Sequence, residues 1–356
     1  MFRRILASIA LASAALVTVP SVVNAEPAGG VTSGTTNKMG LIAAGDGFTC
    51  AIVNGGQVAC WGRGNSGSIG DGNFVDRAYM QLVSGITTAT QIAAGSTHVC
   101  AVLTDTTVKC WGTNTYGQLG NGTQVSQAAP VAVCAAAGCA ASLTGVVQVS
   151  TGTDHSCAVM TGGTVKCWGR GTNNRLGAAV GDLSTTPVTV TGVTGAAKVD
   201  AGPSHTCIVR TDKSMRCWGL DNRGSLGDGT ISSSAEEVTV IPTANAIAAF
   251  SGTTCAINDS DNKVRCWGSN TNGQHGVEGG GGPGYIDYDT SDHALVASTA
   301  KYGSDISAAA IAGTDEAACA LGTTGNVYCW GALLLTGNSR AGAAPGQGIF
   351  SICLLY

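Results

Sequence analysis

The chain has 356 residues, of which 53 are glycine and 15 cysteine, and only 11% are charged, well below the roughly 25% usual for soluble domains. A formal net charge of −4 with no Lys/Arg block excludes an electrostatic footprint for nucleic acid. The glycines call for a fold of many tight turns, and the cysteines suit an oxidising compartment, which disfavours an intracellular or nuclear role.

In chain order, Arg3 and Arg4 precede an apolar stretch from Ile5 to Val19, then Pro20 and a small-residue exit at Val23-Asn24-Ala25. That layout reads as a signal peptide over residues 1–25, since about fifteen apolar residues are too few to span a bilayer. Cleavage after Ala25 would release a chain beginning at Glu26, with a short N-terminal tail over residues 26–40. The first cysteine is Cys50, too far from that site to accept a lipid. The expectation is a secreted or extracytoplasmic protein, in the periplasm or at the cell surface, with no membrane insertion.

Residues 41–331 carry a repeat. Six times a cysteine is followed ten or eleven residues later by Cys-Trp-Gly: Cys50/Cys60, Cys100/Cys110, Cys157/Cys167, Cys207/Cys217, Cys255/Cys266 and Cys319/Cys329. All six tryptophans, Trp61, Trp111, Trp168, Trp218, Trp267 and Trp330, belong to it. The periods of 50, 57, 50, 48 and 64 residues are long for a helical solenoid and suit a propeller blade. Within the second period, runs at residues 91–95, 98–103, 108–112 and 130–133 are apolar or β-branched and are separated by turn formers, with no helical period. Each period therefore predicts one four-stranded sheet. The fold class is all-β, a β-propeller of six visible repeats, either six-bladed or seven-bladed with an incomplete last blade.

The cysteine spacing predicts a hairpin register. With Cys50 opposite Cys60, Ala51 faces Ala59, Ile52 faces Val58 and Val53 faces Gln57, leaving Asn54-Gly55-Gly56 as a three-residue loop. Opposed cysteines in a non-hydrogen-bonded pair are close enough for a disulfide. Buried free thiols are the plainer alternative, and metal ligation at this spacing is disfavoured because zinc sites use closely spaced pairs. Each bridge would contribute about 2 to 3 kcal/mol in the chain-entropy model. Cys134 and Cys139, in an excursion from Ser126 to Leu143, form a seventh pair, and Cys353 is left over.

The string His98-Val99-Cys100-Ala101 leading to Cys110-Trp111-Gly112-Thr113-Asn114-Thr115-Tyr116-Gly117-Gln118-Leu119-Gly120-Asn121-Gly122 resembles the repeat of the regulator of chromosome condensation family, and the chain looks like a secreted, bacterial-type member. The resemblance implies a β-propeller, usually of seven blades, and recurs at Ser204-His205-Thr206-Cys207 with Gly224-Ser225-Leu226-Gly227-Asp228-Gly229. It weakens at Asn174-Arg175-Leu176-Gly177 and Gly273-Gln274-His275-Gly276, and is lost after Trp330. The degenerate segment 332–356 is either a strand that closes the ring onto the first unit, taken to begin at its second strand near Leu41, or the start of a missing seventh blade.

Chemistry-bearing motifs are scarce. His98, His155 and His205 share one repeat position, where the other units carry Phe48, Thr253 and Ala317, so packing or a local hydrogen bond fits better than a metal. Gly62-Arg63-Gly64-Asn65-Ser66-Gly67 matches a dinucleotide fingerprint but does not open a helix in a βαβ unit. Asp221 with Asp228 and Asp287 with Asp289 read as turn caps sooner than as acid/base pairs or calcium ligands. Asn121-Gly122-Thr123 and Asn258-Asp259-Ser260 fit the glycosylation pattern. Two segments break the repeat: the Cys134/Cys139 excursion, and residues 276–302 with Tyr285, Asp287, Tyr288, Asp289 and His293, the candidate binding loop.

No catalytic constellation, cofactor motif or metal site emerges. The expected function is a secreted, disulfide-stapled interaction module that binds a protein or a cell-surface polymer through loops of one face, and is not an enzyme. A hydrolase or lyase with its site at the propeller axis is the alternative. Guanine nucleotide exchange with chromatin attachment, implied by the resemblance, is opposed by the signal-peptide layout, the paired cysteines and the absence of a basic tail. Oligomeric state has no sequence signal.

Overall fold

The computed structural model describes residues 41–230, 235–237, 243–271, 273–275, 290–295, 297–298, 304–313 and 317–331. These residues form six antiparallel sheets in chain order, the blades of a β-propeller. Blade 1 comprises Ile42–Ala44, Phe48–Val53, Gln57–Gly62 and Arg77–Leu82; blade 2, Ala89–Ala94, His98–Leu103, Val108–Gly112 and Gln127–Ala132. Blade 3 comprises Val146–Thr151, His155–Met160, Val165–Arg170 and Leu183–Thr189; blade 4, Ala196–Ala201, His205–Arg210, Met215–Gly219 and Ala235–Glu237. Blade 5 comprises Ala244–Phe250, Thr253–Asn258, Val264–Gly268 and Thr290–Leu295; blade 6, Ala308–Gly313, Ala317–Gly322 and Val327–Gly331. A two-stranded ribbon, Ala297–Ser298 with Ser304–Asp305, lies between the last two.

The register of blade 1 pairs Cys50 with Cys60, Ala51 with Ala59, Ile52 with Val58 and Val53 with Gln57. In every blade the two repeat cysteines face each other at a Cα separation of 4.0 to 4.1 Å and are joined, as Cys50–Cys60, Cys100–Cys110, Cys157–Cys167, Cys207–Cys217, Cys255–Cys266 and Cys319–Cys329. A seventh bridge joins Cys134 to Cys139. In blade 5 the extra residue is taken up by the turn, and Cys255 still faces Cys266. One expectation is corrected. The first unit does not begin at its second strand: Ile42–Ala44 is an inner strand of its own, pairing Ala43 with Cys50, so blade 1 has four strands. Among the described residues it is blade 6 that has three.

In four blades the pairing of the third strand to the fourth slips just after the cysteine, between Cys60 and Gly62, Cys110 and Gly112, Cys167 and Gly169, and Cys266 and Gly268. Blade 4 departs from this pattern: Cys217 faces Glu236 and Trp218 faces Ala235 in an unbroken register. Where the slip occurs the tryptophan sits at it, and the glycine after it has a positive φ, +105° at both Gly62 and Gly112. A side chain at Gly112 would strike the backbone of Thr97 and His98, so glycine is required there twice over.

Apolar residues gather between blades, in five cores, each with one tryptophan: Trp111 between blades 1 and 2, Trp168 between 2 and 3, Trp218 between 3 and 4, Trp267 between 4 and 5, and Trp330 between 5 and 6. A single blade buries one face against each neighbour, so the cores are assembled blade by blade. The bridges are part of them: Cys157 and Cys167 line the core that holds Trp218, and Cys207 and Cys217 the core that holds Trp267. Trp61, on the far side of blade 1, is only half-buried.

Candidate functional site: seams, axis and an apolar rim

Among the described residues, each of the five seams between successive blades is sealed by a tryptophan donating its indole N–H to a main-chain carbonyl of the preceding blade. The pairs are Trp111 to Ser68 (2.9 Å), Trp168 to Gln118 (2.9 Å), Trp218 to Arg175 (2.9 Å), Trp267 to Ser225 (3.1 Å) and Trp330 to Gln274 (2.6 Å). The acceptor always lies seven residues after that blade's own tryptophan.

The three histidines join this arrangement. His98 Nε2 is 2.9 Å from Ser156 Oγ, His155 Nε2 2.8 Å from Thr206 Oγ1, and His205 Nε2 2.9 Å from Thr254 Oγ1, each reaching into the next blade. Those hydroxyls donate to Gln118, Arg175 and Ser225, the same carbonyls that receive the indoles. A hydroxyl that donates to a carbonyl accepts from the imidazole, so the network assigns a proton to Nε2, and burial disfavours a second one on Nδ1. Burial pushes His98 down to about 3 and His205 down to about 4, with the Arg175 guanidinium adding to the effect at His205. His155 is lowered well below the ordinary value by burial and then by Arg175. The histidines are thus committed to separate seams, and among the described residues no three His, Cys, Asp or Glu side chains form a metal-binding group.

Toward the axis, the inner strands are laced by side chains that bond the next blade's backbone. Gln91 Oε1 accepts from Val149 N (2.9 Å), and Gln148 Oε1 from Val199 N (2.9 Å). Asp200 accepts from Ser150 Oγ (3.0 Å) and from Ala249 N (2.7 Å), tying blades 3, 4 and 5 together. Burial pushes Asp200 up to about 6, although the hydrogen bonds from Ala249 and Ser150 and the Ala201 backbone N–H oppose the shift. Sequence reasoning missed this carboxylate, because an aspartate in an alanine-rich strand carries no motif. Its bonds reach Ser150 of blade 3 and Ala249 of blade 5, so the carboxylate is a tie between blades.

The sequence-derived aspartates and asparagines cap turns. Asp221 Oδ1 accepts from Leu226 N (3.0 Å), and Asp228 Oδ1 from Thr230 N (2.8 Å). Asn121 and Asn258 accept from Thr123 N and Ser260 N respectively. Tyr285, Asp287, Tyr288 and Asp289 lie outside the described residues, as does Cys353.

The least expected surface is on blade 1. Its fourth strand and the loop before it expose Tyr79 (82%), Met80 (61%), Leu82 (55%), Phe74 (50%) and Val75 (47%). The loop is fixed from below: Asp76 Oδ1 accepts from Gly64 N (2.9 Å), and Arg77 pairs with Asp71 at 2.6 Å. Register shows what the repeat puts elsewhere. Leu82, Ala132 and Thr189 oppose Ala59, Lys109 and Lys166, so Met80 stands where blades 2 and 3 carry Pro130 and Pro187, and Tyr79 where they carry Ala129 and Thr186. Proline and small residues protect an edge strand. Blade 1 has replaced that protection with large apolar side chains.

Radial four-stranded sheets sealed by inter-blade tryptophans define a β-propeller built from repeats. The repeat profile of the regulator of chromosome condensation (RCC1) matches residues 55–102 and 107–159, and a second profile of that repeat matches 41–68, 89–118, 146–175, 196–225 and 246–274. The chain belongs to the RCC1 repeat family. No curated protein matches the sequence. Among solved structures it is similar to Prp20p from Saccharomyces cerevisiae, described with its binding properties to Gsp1p and histones, at 21% identity and a TM-score of 0.66, covering 82% of this chain and 71% of that one. Human WBSCR16 is similar at 20% identity and a TM-score of 0.67, covering 82% and 75%. The ectodomain of the Physcomitrella patens receptor kinase CR4 is similar at 20% identity and a TM-score of 0.50, covering 82% and 61%.

Proposed function

We propose that this chain is an exported interaction module that holds a protein partner against the apolar rim of blade 1. The observation that carries the reading is the internal comparison: Tyr79, Met80 and Leu82 are exposed where blade 2 places Ala129, Pro130 and Ala132 and blade 3 places Thr186, Pro187 and Thr189. The scaffold does not need them, since blades 2 and 3 form the same sheet without them. Exposed apolar patches mark contact surfaces, and aromatic and methionine side chains are favoured in such contacts. Export is supported by the residue 1–25 layout and by seven disulfides, which persist in an oxidising compartment. The moss ectodomain places the same kind of fold on a receptor kinase's ectodomain. Family members bind proteins in the one case named above, Prp20p with Gsp1p and histones, and that fact supports a protein over a polymer as partner.

The test is capture from culture fluid and cell surface with the oxidised protein and with a Tyr79→Ala/Met80→Pro variant whose unfolding midpoint is unchanged. A partner recovered by the parent and depleted at least tenfold with the variant supports the reading. Equal recovery by both removes blade 1 as the contact surface. N-terminal sequencing of the exported protein is expected to begin at Glu26.

A further inference from the structure

Seven disulfides are present, and one differs from the rest. Ten of the blade cysteines, Cys50 through Cys266 in the first five blades, are fully buried, and Cys319 and Cys329 are half-buried. Cys139 is exposed, while its partner Cys134 is 5% exposed. Cys139 also holds a left-handed backbone conformation, φ +51°, which L residues other than Gly, Asn and Asp rarely adopt. Its sulfur rests against Gly122, at a place where any side chain on that residue would collide with it.

The segment around this bridge is held without it. Val133 N donates to Val108 O (3.0 Å) and Cys134 N to Gly120 O (2.9 Å), which seat the start of the excursion on blade 2. Leu143 N donates to Val133 O (2.8 Å) and Ala135 N to Ala141 O (2.8 Å), closing the excursion as a hairpin. Val133 and Leu143 are buried in the core between blades 2 and 3. A bridge across a hairpin already closed at its base adds little closure. An exposed cysteine and a strained residue are features of disulfides that exchange, whereas buried ones resist.

We propose that Cys134–Cys139 is a thiol-exchange site, opened by a dithiol reductant, while the blade disulfides stay closed. The reductant's thiolate attacks the sulfur of Cys139, the exposed residue of the pair; a mixed disulfide forms at Cys139, and Cys134 leaves as a thiolate and takes a proton from water. The reductant's second thiol then attacks its own sulfur in the mixed disulfide and releases Cys139. The sum is one dithiol oxidised to a disulfide and one protein disulfide reduced to two thiols, two electrons and two protons passing from one to the other. Opening frees Cys139 from its left-handed backbone and its sulfur from its place against Gly122. This site stands on residues separate from the apolar rim and does not depend on the partner-binding reading.

The test is titration of the full-length, natively folded protein with dithiothreitol, in a Cys353→Ser background, followed by alkylation and peptide mapping. Cys134 and Cys139 are expected to be labelled at a reductant concentration at least tenfold below that needed for any blade pair, with Cys319/Cys329 next and the fully buried pairs, such as Cys207/Cys217, last. A Cys134→Ser/Cys139→Ser variant is expected to keep its unfolding midpoint within a few degrees and to lose the early labelling. Labelling of blade pairs together with Cys134 and Cys139 would overturn the proposal, and so would a double variant that fails to fold, since the bridge would then be structural.

Discussion

The seam between blades 1 and 2 and the seam between blades 2 and 3 use the same tryptophan bond and differ in the polar contacts beside it. In the first, Phe48 packs on Gly45 and Val99 precedes Cys100; in the second, His98 packs on Gly95 in the same way, and its proton goes to Ser156 before Cys157. The Nε2 side of the second seam is bonded, whereas His98 Nδ1 is buried with no protein partner. A buried polar pair is tolerated when it is complete, and so is an apolar pair of similar shape; a mixture would leave a buried donor unmet. What the seams share is the part that cannot be exchanged.

The largest expected effect comes from attacking that shared part. Trp218→Ala should cost about 3 to 5 kcal/mol by emptying the core between blades 3 and 4, measured by urea unfolding under non-reducing conditions. Next, making one seam mixed should separate the two solutions. His98→Phe alone and Ser156→Val alone should each cost about 1 to 3 kcal/mol, the second because it strands the imidazole N–H. The double variant, which copies the Phe48/Val99 seam, should recover at least about 1 kcal/mol relative to the sum. Additive losses would mean that the pair is not coupled.

Titration should distinguish the seams as well. The three histidines have folded-state values depressed far below 6.5, so the unfolded chain binds more protons; their contribution is present above pH 6.5 and is lost as pH falls from there toward 4. Asp200 and Asp221, both raised to about 6, act in the opposite sense: what they contribute at low pH is lost as pH rises from about 4 to 6. With three groups against two, stability should climb with pH between 4 and 6 and level off near neutrality. Removing His98 in the double variant should reduce that slope by about one proton, or about 1.4 kcal/mol per pH unit. The smallest effect belongs to the rim: Met80→Pro should change stability by less than about 0.5 kcal/mol, because Pro130 and Pro187 already occupy that place in blades 2 and 3. A large loss there would tie Met80 to folding and weaken its claim as a contact residue.

Much of the fold can be read from spacing alone. A ten-residue interval between cysteines leaves one hairpin register, and the observed pairing from Cys50/Cys60 to Val53/Gln57 follows from it. The same interval places Cys207 opposite Cys217, yet it says nothing of the strand beyond, where Cys217 meets Glu236 without the slip seen in blades 1, 2, 3 and 5. The inner strand Ile42–Ala44 was misread because Ile-Ala-Ala carries almost no alternation, and its pairing with Phe48–Val53 comes from backbone contacts that a pattern does not record. The histidine bonds were legible in principle. His98, His155 and His205 are each answered one repeat later by Ser156, Thr206 and Thr254, whereas Phe48 is answered by Val99. That correspondence runs between repeats, and scanning each repeat by itself conceals it. The rim escaped notice because Tyr79-Met80-Gln81-Leu82 looks like any apolar strand until its register sets it beside Ala129-Pro130-Val131-Ala132.

The tryptophans address a main-chain oxygen, and the residues that own that oxygen are Ser68, Gln118, Arg175, Ser225 and Gln274. A lock whose keyhole is backbone does not care which side chain surrounds it. Units of this kind can be duplicated or shuffled in a gene while the tryptophan bond still forms at each junction, the histidine–hydroxyl pairing deciding which neighbours meet without a stranded donor.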